Sequence, residues 1–267
     1  MSLPTGPILR SSLLAAGTGN PVLLLHSSAS SSTMWLPLID MLKARFRVLA
    51  PDLIGYGRTD PWPDGHDFSP AEELRLIEPL LRNETAGVHV VGHSFGGVVA
   101  LHLALSRRVA IRSLTLIEPV AFFILRHADE SEALAEITAV SDAYRAHLVA
   151  GETDAALRGF IDYWAGAPVW DFMEEASRAP MRRSAGQVTL DFQVTMTDSG
   201  LDAIRRLTIP VRVWSGDRSR VPTRRIAAIL AELLPNATLE IVKGANHLLP
   251  LTHSALFGKR LLEQLDD

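Results

Sequence analysis

Short apolar runs alternate along this chain with longer segments whose apolar residues recur every three or four positions. The runs are Val22–Leu25, Arg47–Ala50, Val88–Val91, Leu114–Ile117, Val211–Trp214 and Leu239–Val242, each closed by glycine, proline or polar residues. Apolar on successive residues and too short for an ordinary helix, they read as strands covered on both faces. The segments between them, Met34–Ala44, Pro70–Leu81, Val98–Leu105 and Arg225–Leu234, carry the helical period. Such alternation predicts an α/β protein with a mostly parallel central sheet flanked by helices.

The alternation breaks after Pro119. Residues 121–207 contain no convincing strand but much helical spacing, clearest in Glu130–Val149 and Thr153–Trp164. The stretch is too long for a plain connection, so it reads as a helical insertion, a cap, on a core formed by 1–120 and 208–267. With 267 residues, 47% of them hydrophobic, the chain can bury a large core without staples, and it has no cysteine with which to build one. A net charge of −4 gives no footprint for nucleic acid or an anionic membrane. The apolar run near the N-terminus, Leu13–Ala16, is too short for a secretory signal, and no stretch approaches a membrane span, so a cytoplasmic protein is expected.

The strongest chemical signal is Gly92-His93-Ser94-Phe95-Gly96-Gly97, placed between the run Val88–Val91 and a helical segment. The G-x-S-x-G pattern alone is weak. On a sharp strand-to-helix turn it exposes a serine hydroxyl, small residues on either side let neighbouring backbone pass, and the helix start points its amides at the hydroxyl. A glycine-rich turn with an incidental serine is the plainer reading. Of nine histidines, His247 stands out because it follows a strand in the glycine-containing loop Gly244-Ala245-Asn246-His247. His26 reads as a brace for the adjoining serine-rich loop Ser27–Thr33, and the others as strand, helix or solvated residues.

Four features in order resemble the α/β-hydrolase superfamily along nearly the whole chain: Leu23-Leu24-Leu25-His26-Ser27-Ser28, Asp52-Leu53-Ile54-Gly55-Tyr56-Gly57-Arg58-Thr59, the turn at Ser94, and the loop at His247. The resemblance implies that Ser94 is a nucleophile, His247 its general base, and the backbone N–H groups of Ser28 and Phe95 an oxyanion hole. It also places a cap where the helical insertion falls. Two departures stand out. Ser27 replaces a common glycine. Ser219 stands where many members carry the acid, the third residue after the glycine of that loop, here Gly216. Two carboxylates could take the acid's place. Glu118 ends the run Leu114–Ile117 and as a buried charge would need a partner. Asp217 lies in the same loop as Ser219. Glu118 is favoured.

A serine rather than an aspartate at position 94 argues against epoxide-hydrolase and dehalogenase chemistry. The expected reaction is hydrolysis of a carboxylic ester through an acyl-enzyme. Alternatives are carbon–carbon bond hydrolysis of a diketone on the same residues, and a ligand-binding receptor with little turnover. Trp35, Trp164, Trp170 and Phe172 are expected to line an apolar pocket for a small-molecule substrate. No metal cluster, P-loop or dinucleotide fingerprint is present in the sequence, so no cofactor or metal is expected.

Overall fold

The computed structural model describes residue 7 and residues 9–266. The N-terminal stretch on which the expectation of no secretory signal rests lies partly in residues 1–6 and 8, outside the described residues. Seven strands form one sheet: β1 (Leu13–Ala16), β2 (Asn20–Leu25), β3 (Phe46–Pro51), β4 (Val88–His93), β5 (Ile111–Ile117), β6 (Val211–Gly216) and β7 (Ala237–Val242). Their order is β1-β3-β2-β4-β5-β6-β7. All neighbours are parallel except β1 and β3. The six strands expected from apolar runs are all present. The seventh, β1, is not legible as a strand, because it is a half-exposed edge whose pairing comes from the β3 backbone, with Leu13 opposite Pro51.

The helices α1 (Leu36–Leu42), α2 (Pro70–Leu81) and α3 (Phe95–Ser106) follow β2, β3 and β4. Between β5 and β6 come α4 (Phe123–His127), α5 (Ser131–Val149), α6 (Thr153–Ala165), α7 (Glu175–Arg183), α8 (Ala185–Thr195) and α9 (Leu201–Arg205). The chain closes with α10 (Val221–Leu233) after β6, and α11 (Leu249–Thr252) and α12 (Ser254–Asp266) after β7. Among the described residues no helix is long and apolar enough to cross a membrane.

Strand side chains alternate between two cores. Val22, Leu24, Val91 and Trp214 pack with Trp35, Leu38 and Leu42 of the first helical turn region and with Phe257 and Leu261 of α12. Leu23, Leu25, Val90, Leu114 and Val213 face the other way, against α2, α3, α10 and the helices between β5 and β6. Covering both faces explains why the strands read as continuous apolar runs.

The parallel arrangement puts the ends of β2, β4, β5, β6 and β7 along one edge of the sheet, where open α/β sheets place their ligand sites. There β2 and the start of α3 pass in close contact. A Cβ on Gly96 would run into the carbonyls of Leu25 and His26, and one on Gly92 into the Gly96 carbonyl. All of these obstacles are backbone and cannot rotate away. Gly96→Ala is therefore expected to destabilise the fold by about 1–3 kcal/mol, the usual cost of overpacking, as measured by urea denaturation.

Candidate active site

Between the end of β4 at His93 and the start of α3 at Phe95, Ser94 sits alone at φ 54° and ψ −118°. That is an unfavourable backbone for a residue with a Cβ, costing on the order of 1–3 kcal/mol, and the surrounding packing must hold it. The Ser94 amide donates to Ile117 O of β5 (2.9 Å), which fixes the turn to the neighbouring strand end. The loop after β7 returns to the same edge and brings His247 Nε2 to 2.9 Å from Ser94 Oγ.

On the far side of the imidazole, Nδ1 lies 3.3 Å from Glu118 Oε2. An ionised carboxylate only accepts hydrogen bonds, so Nδ1 carries the ring hydrogen and Nε2 is left to accept from Ser94. The other carboxylate oxygen, Oε1, accepts from the hydroxyls of Ser215 (2.9 Å) and Ser219 (2.7 Å) and from the Gly216 amide (2.6 Å). Burial alone would raise the Glu118 pKa. The hydrogen bond and charge of His247, with the donors of Ser219 and Gly216, outweigh it and bring the group down to about 2. Asp217, the other candidate, accepts from the Gly244 amide (2.7 Å) and braces the loop before His247 instead of reaching the ring. Ser219 stands where an acid was absent, and its hydroxyl now supports the carboxylate that reaches the ring.

Several groups fix the imidazole. His93 Nε2 donates to His247 O (2.8 Å), and burial together with the nearby His247 holds the His93 ring neutral, its pKa near 3. The Trp164 indole of α6 stacks on the imidazole, with centroids 4.2 Å apart and planes 29° apart. Asn246 Nδ2 donates to Ala165 O at the end of the same helix (2.7 Å).

Beside Ser94, the amides of Ser28 and Phe95 donate to no protein acceptor among the described residues. The Ser28 loop is pinned from below. His26 donates from Nδ1 to Ser27 O (2.8 Å) and accepts at Nε2 from the Leu53 amide (2.9 Å). Burial drives the His26 pKa down to about 4, which keeps that accepting nitrogen free.

A cavity of about 20 Å³ opens on Ser94. Ser28, Phe160, Trp164, Val188, Asp191 and Phe192 are among its lining residues. A much larger groove of about 610 Å³ runs outside, between residues 29–33 and α7, and does not include Ser94. Of the four aromatic residues expected at the pocket, only Trp164 lines the cavity. Trp35 is buried in the core on the opposite face of the sheet. Trp170 is fully buried below the Arg178 guanidinium. Phe172, 84% exposed, faces solvent at the end of a short turn. Aromaticity in the sequence could not separate these fates, because the segment's own core also needs large apolar side chains.

Two buried carboxyl groups close by carried no sequence signal. Asp191 of α8 is 2% exposed, and burial lifts it to about 7 against the donors of Ser28, Tyr56 and Gln187. Glu73 of α2 is fully buried, accepts from the Ile54 amide (3.2 Å), and is raised to about 8 by burial and by Asp191. Among the described residues no group of three or more His, Cys, Asp or Glu could hold a metal ion.

The profile of the alpha/beta hydrolase family matches residues 22–258, and the chain belongs to that family. It is an enzyme, a hydrolase of this fold. It is 28% identical over 252 residues to the carboxylesterase YbfK of Bacillus subtilis, covering 91% of this chain and 79% of that one. The alpha/beta hydrolase MGS-M2 from a deep-sea metagenome library superposes with a TM-score of 0.80 over 100% of this chain and 98% of its own, at 16% identity. A meta-cleavage product hydrolase of Pseudomonas fluorescens does so with 0.73 over 97% and 94%, at 19% identity.

The raised pKa of Glu73 has a consequence for stability. A carboxyl that binds its proton more tightly when folded favours the native state fully below its ordinary pKa of 4.5, and that contribution is lost as pH rises toward 8. Asp191 acts with the same sign toward 7. His26, His93 and His102, whose folded pKa values burial lowers, act with the opposite sign below about 6.5, so the test is a difference between proteins. In Glu73→Gln, whose amide mimics the protonated acid, the unfolding free energy measured by urea titration should rise more, or fall less, between pH 5 and 8 than in the wild type.

Proposed function

We propose that this chain hydrolyses carboxylic esters of short acyl groups through a Ser94 acyl-enzyme, with His247 as general base and acid and Glu118 as the triad carboxylate. The observation that carries the reading is the continuous line Glu118 Oε2, His247, Ser94 Oγ, with contacts of 3.3 and 2.9 Å. Ser94 Oγ adds to the carbonyl carbon while its proton passes to His247 Nε2. The carbonyl π pair moves onto oxygen, and that oxyanion accepts from the Ser28 and Phe95 amides, which have no protein acceptor to give up. As the intermediate collapses, the C–O bond to the alcohol breaks and His247 returns the proton to the leaving oxygen. Water then repeats the sequence on the acyl-enzyme and restores Ser94. Glu118 stays ionised throughout, which a pKa near 2 permits, and holds the imidazolium by charge.

Substrate size follows from the cavity. About 20 Å³ accommodates little more than one water molecule. Residues 121–207 act in this reading as a cap, since Phe160 and Trp164 of α6 and Asp191 and Phe192 of α8 cover Ser94. Even an acetyl group must therefore shift some of these side chains, and longer chains must displace more of the cap. The similarity to a carboxylesterase is consistent with ester substrates.

Ser94→Ala should lower kcat on p-nitrophenyl acetate by up to about 10⁶-fold. Glu118→Gln should lower it by about 10⁴-fold, and Asp217→Asn by no more than about twofold. A fully active Glu118→Gln enzyme excludes the assigned acid, and absent turnover in the wild type would leave a ligand receptor in place of a hydrolase. In a series of p-nitrophenyl esters, kcat/KM should fall about tenfold or more from acetyl to hexanoyl, and Phe192→Ala should narrow that ratio. A higher kcat/KM for a vinylogous diketone than for any ester would move the reaction to carbon–carbon bond hydrolysis.

A further inference from the structure

Asp191 is an unusual lining residue for an acyl pocket. It is a buried carboxyl whose described partners include no cation. Its Oδ2 accepts from the hydroxyls of Ser28 and Tyr56, both at 2.5 Å, and its Oδ1 accepts from Gln187 Nε2 at 3.2 Å. The acidic and phenolic groups that act on it or are acted on by it are Tyr56, Glu73 and Tyr144. With a pKa near 7 and no counter-charge, it costs the fold more than an apolar side chain of similar volume would.

What the carboxyl holds accounts for its presence. Ser28 is the loop residue whose amide faces the oxyanion in the reading above. The next residue, Ala29, sits at φ 54°, a backbone that a residue with a Cβ adopts only where its surroundings hold it. Loop, Tyr56 and Asp191 thus form one hydrogen-bonded unit. Two of its members belong to the core and one to α8, which reaches the site only by packing of the segment between β5 and β6. Tyr56 is kept in place from behind by an edge-to-face contact with His26 at 5.4 Å.

We propose that Asp191 is a positioning residue for the oxyanion loop: by accepting from Ser28 and Tyr56 it aims the Ser28 amide at the reacting carbonyl, so that the oxyanion site is complete only while α8 is docked. This rests on the hydrolase reading above. It ties the covering of the site to the assembly of its electrostatics, because the helix that excludes water also sets the loop.

A double-mutant cycle tests it, using kcat and KM on p-nitrophenyl acetate, thermal melting, and labelling of Ser94 by a fluorophosphonate. Ser28→Ala and Asp191→Leu should each lower kcat by about 10- to 100-fold, less than or comparable to outright removal of an oxyanion donor, with KM moved by no more than about threefold. The double variant should be no slower than the slower single variant, because both changes break the same link. Asp191→Asn, whose Oδ1 can still accept both hydroxyls, should melt close to the wild type and recover most of the kcat lost in Asp191→Leu. Losses that multiply in the double variant, or a kcat loss that merely tracks lost folded protein, overturn the role of Asp191 while leaving the hydrolase reading intact. A wild-type enzyme that neither labels nor turns over removes both.

Discussion

The carboxylate of Glu118 is the point on which the working edge of the sheet is hung. It sits at the end of β5 with φ 48°, and the Glu118 amide donates to Trp214 O of β6. Its oxygens collect donors from Ser215, Gly216, Ser219 and His247. One buried charge therefore joins β5, the loop after β6, and the loop after β7. Removing it would strand those donors and leave the His247 ring without an orienting acceptor. Desolvation makes such an anion costly in isolation, and the same desolvation makes each of its hydrogen bonds strong. That balance gives a depressed pKa in a place where burial alone would produce a raised one.

The opposite case lies one loop away. Asp191 and Glu73 are buried with fewer donors and no cation, and desolvation prevails, lifting both toward neutrality or above. Within one site, carboxyl groups of nearly the same intrinsic acidity are thus driven apart by whether His247 stands beside them, and then by how many other donors reach them. An ionised group can orient an imidazolium by charge. A group near balance can hold hydroxyls in place at smaller electrostatic cost. In the proposed scheme these are the two tasks the site needs, the first around His247 and the second around the oxyanion loop.

Packing of the helices between β5 and β6 completes the picture. The end of α6 lays Trp164 on the imidazole and accepts from Asn246, while α8 brings Asp191 and Phe192 to the other side of Ser94. Both contacts tie these helices to the loops that carry His247 and Ser28. A cavity that holds about one water is the geometric result, and it makes opening of this cover a necessary step for any bulky substrate in the proposed reaction.

Six of the seven strands, the helices between them, and the turn and loop that carry Ser94 and His247 were readable from the sequence, because each depends on local pattern, whereas the strand order was decided by the tertiary structure. Apolar runs covered on two faces mark strands, and small residues mark the turn where β2, β4 and α3 crowd together. The sequence also narrowed the carboxylate beside His247 to Glu118 or Asp217. Only the tertiary structure separated them, by turning Asp217 toward the Gly244 amide and Glu118 toward the ring. The edge strand β1, the fates of Trp35, Trp170 and Phe172, and the buried Asp191 and Glu73 were not legible. An aspartate in mid-helix looks solvated until another element covers it, and an aromatic residue serves a core as readily as a pocket. Those outcomes depend on contacts between residues far apart in the chain, such as Ser28 with Asp191, and no local pattern encodes which distant partner a side chain will meet.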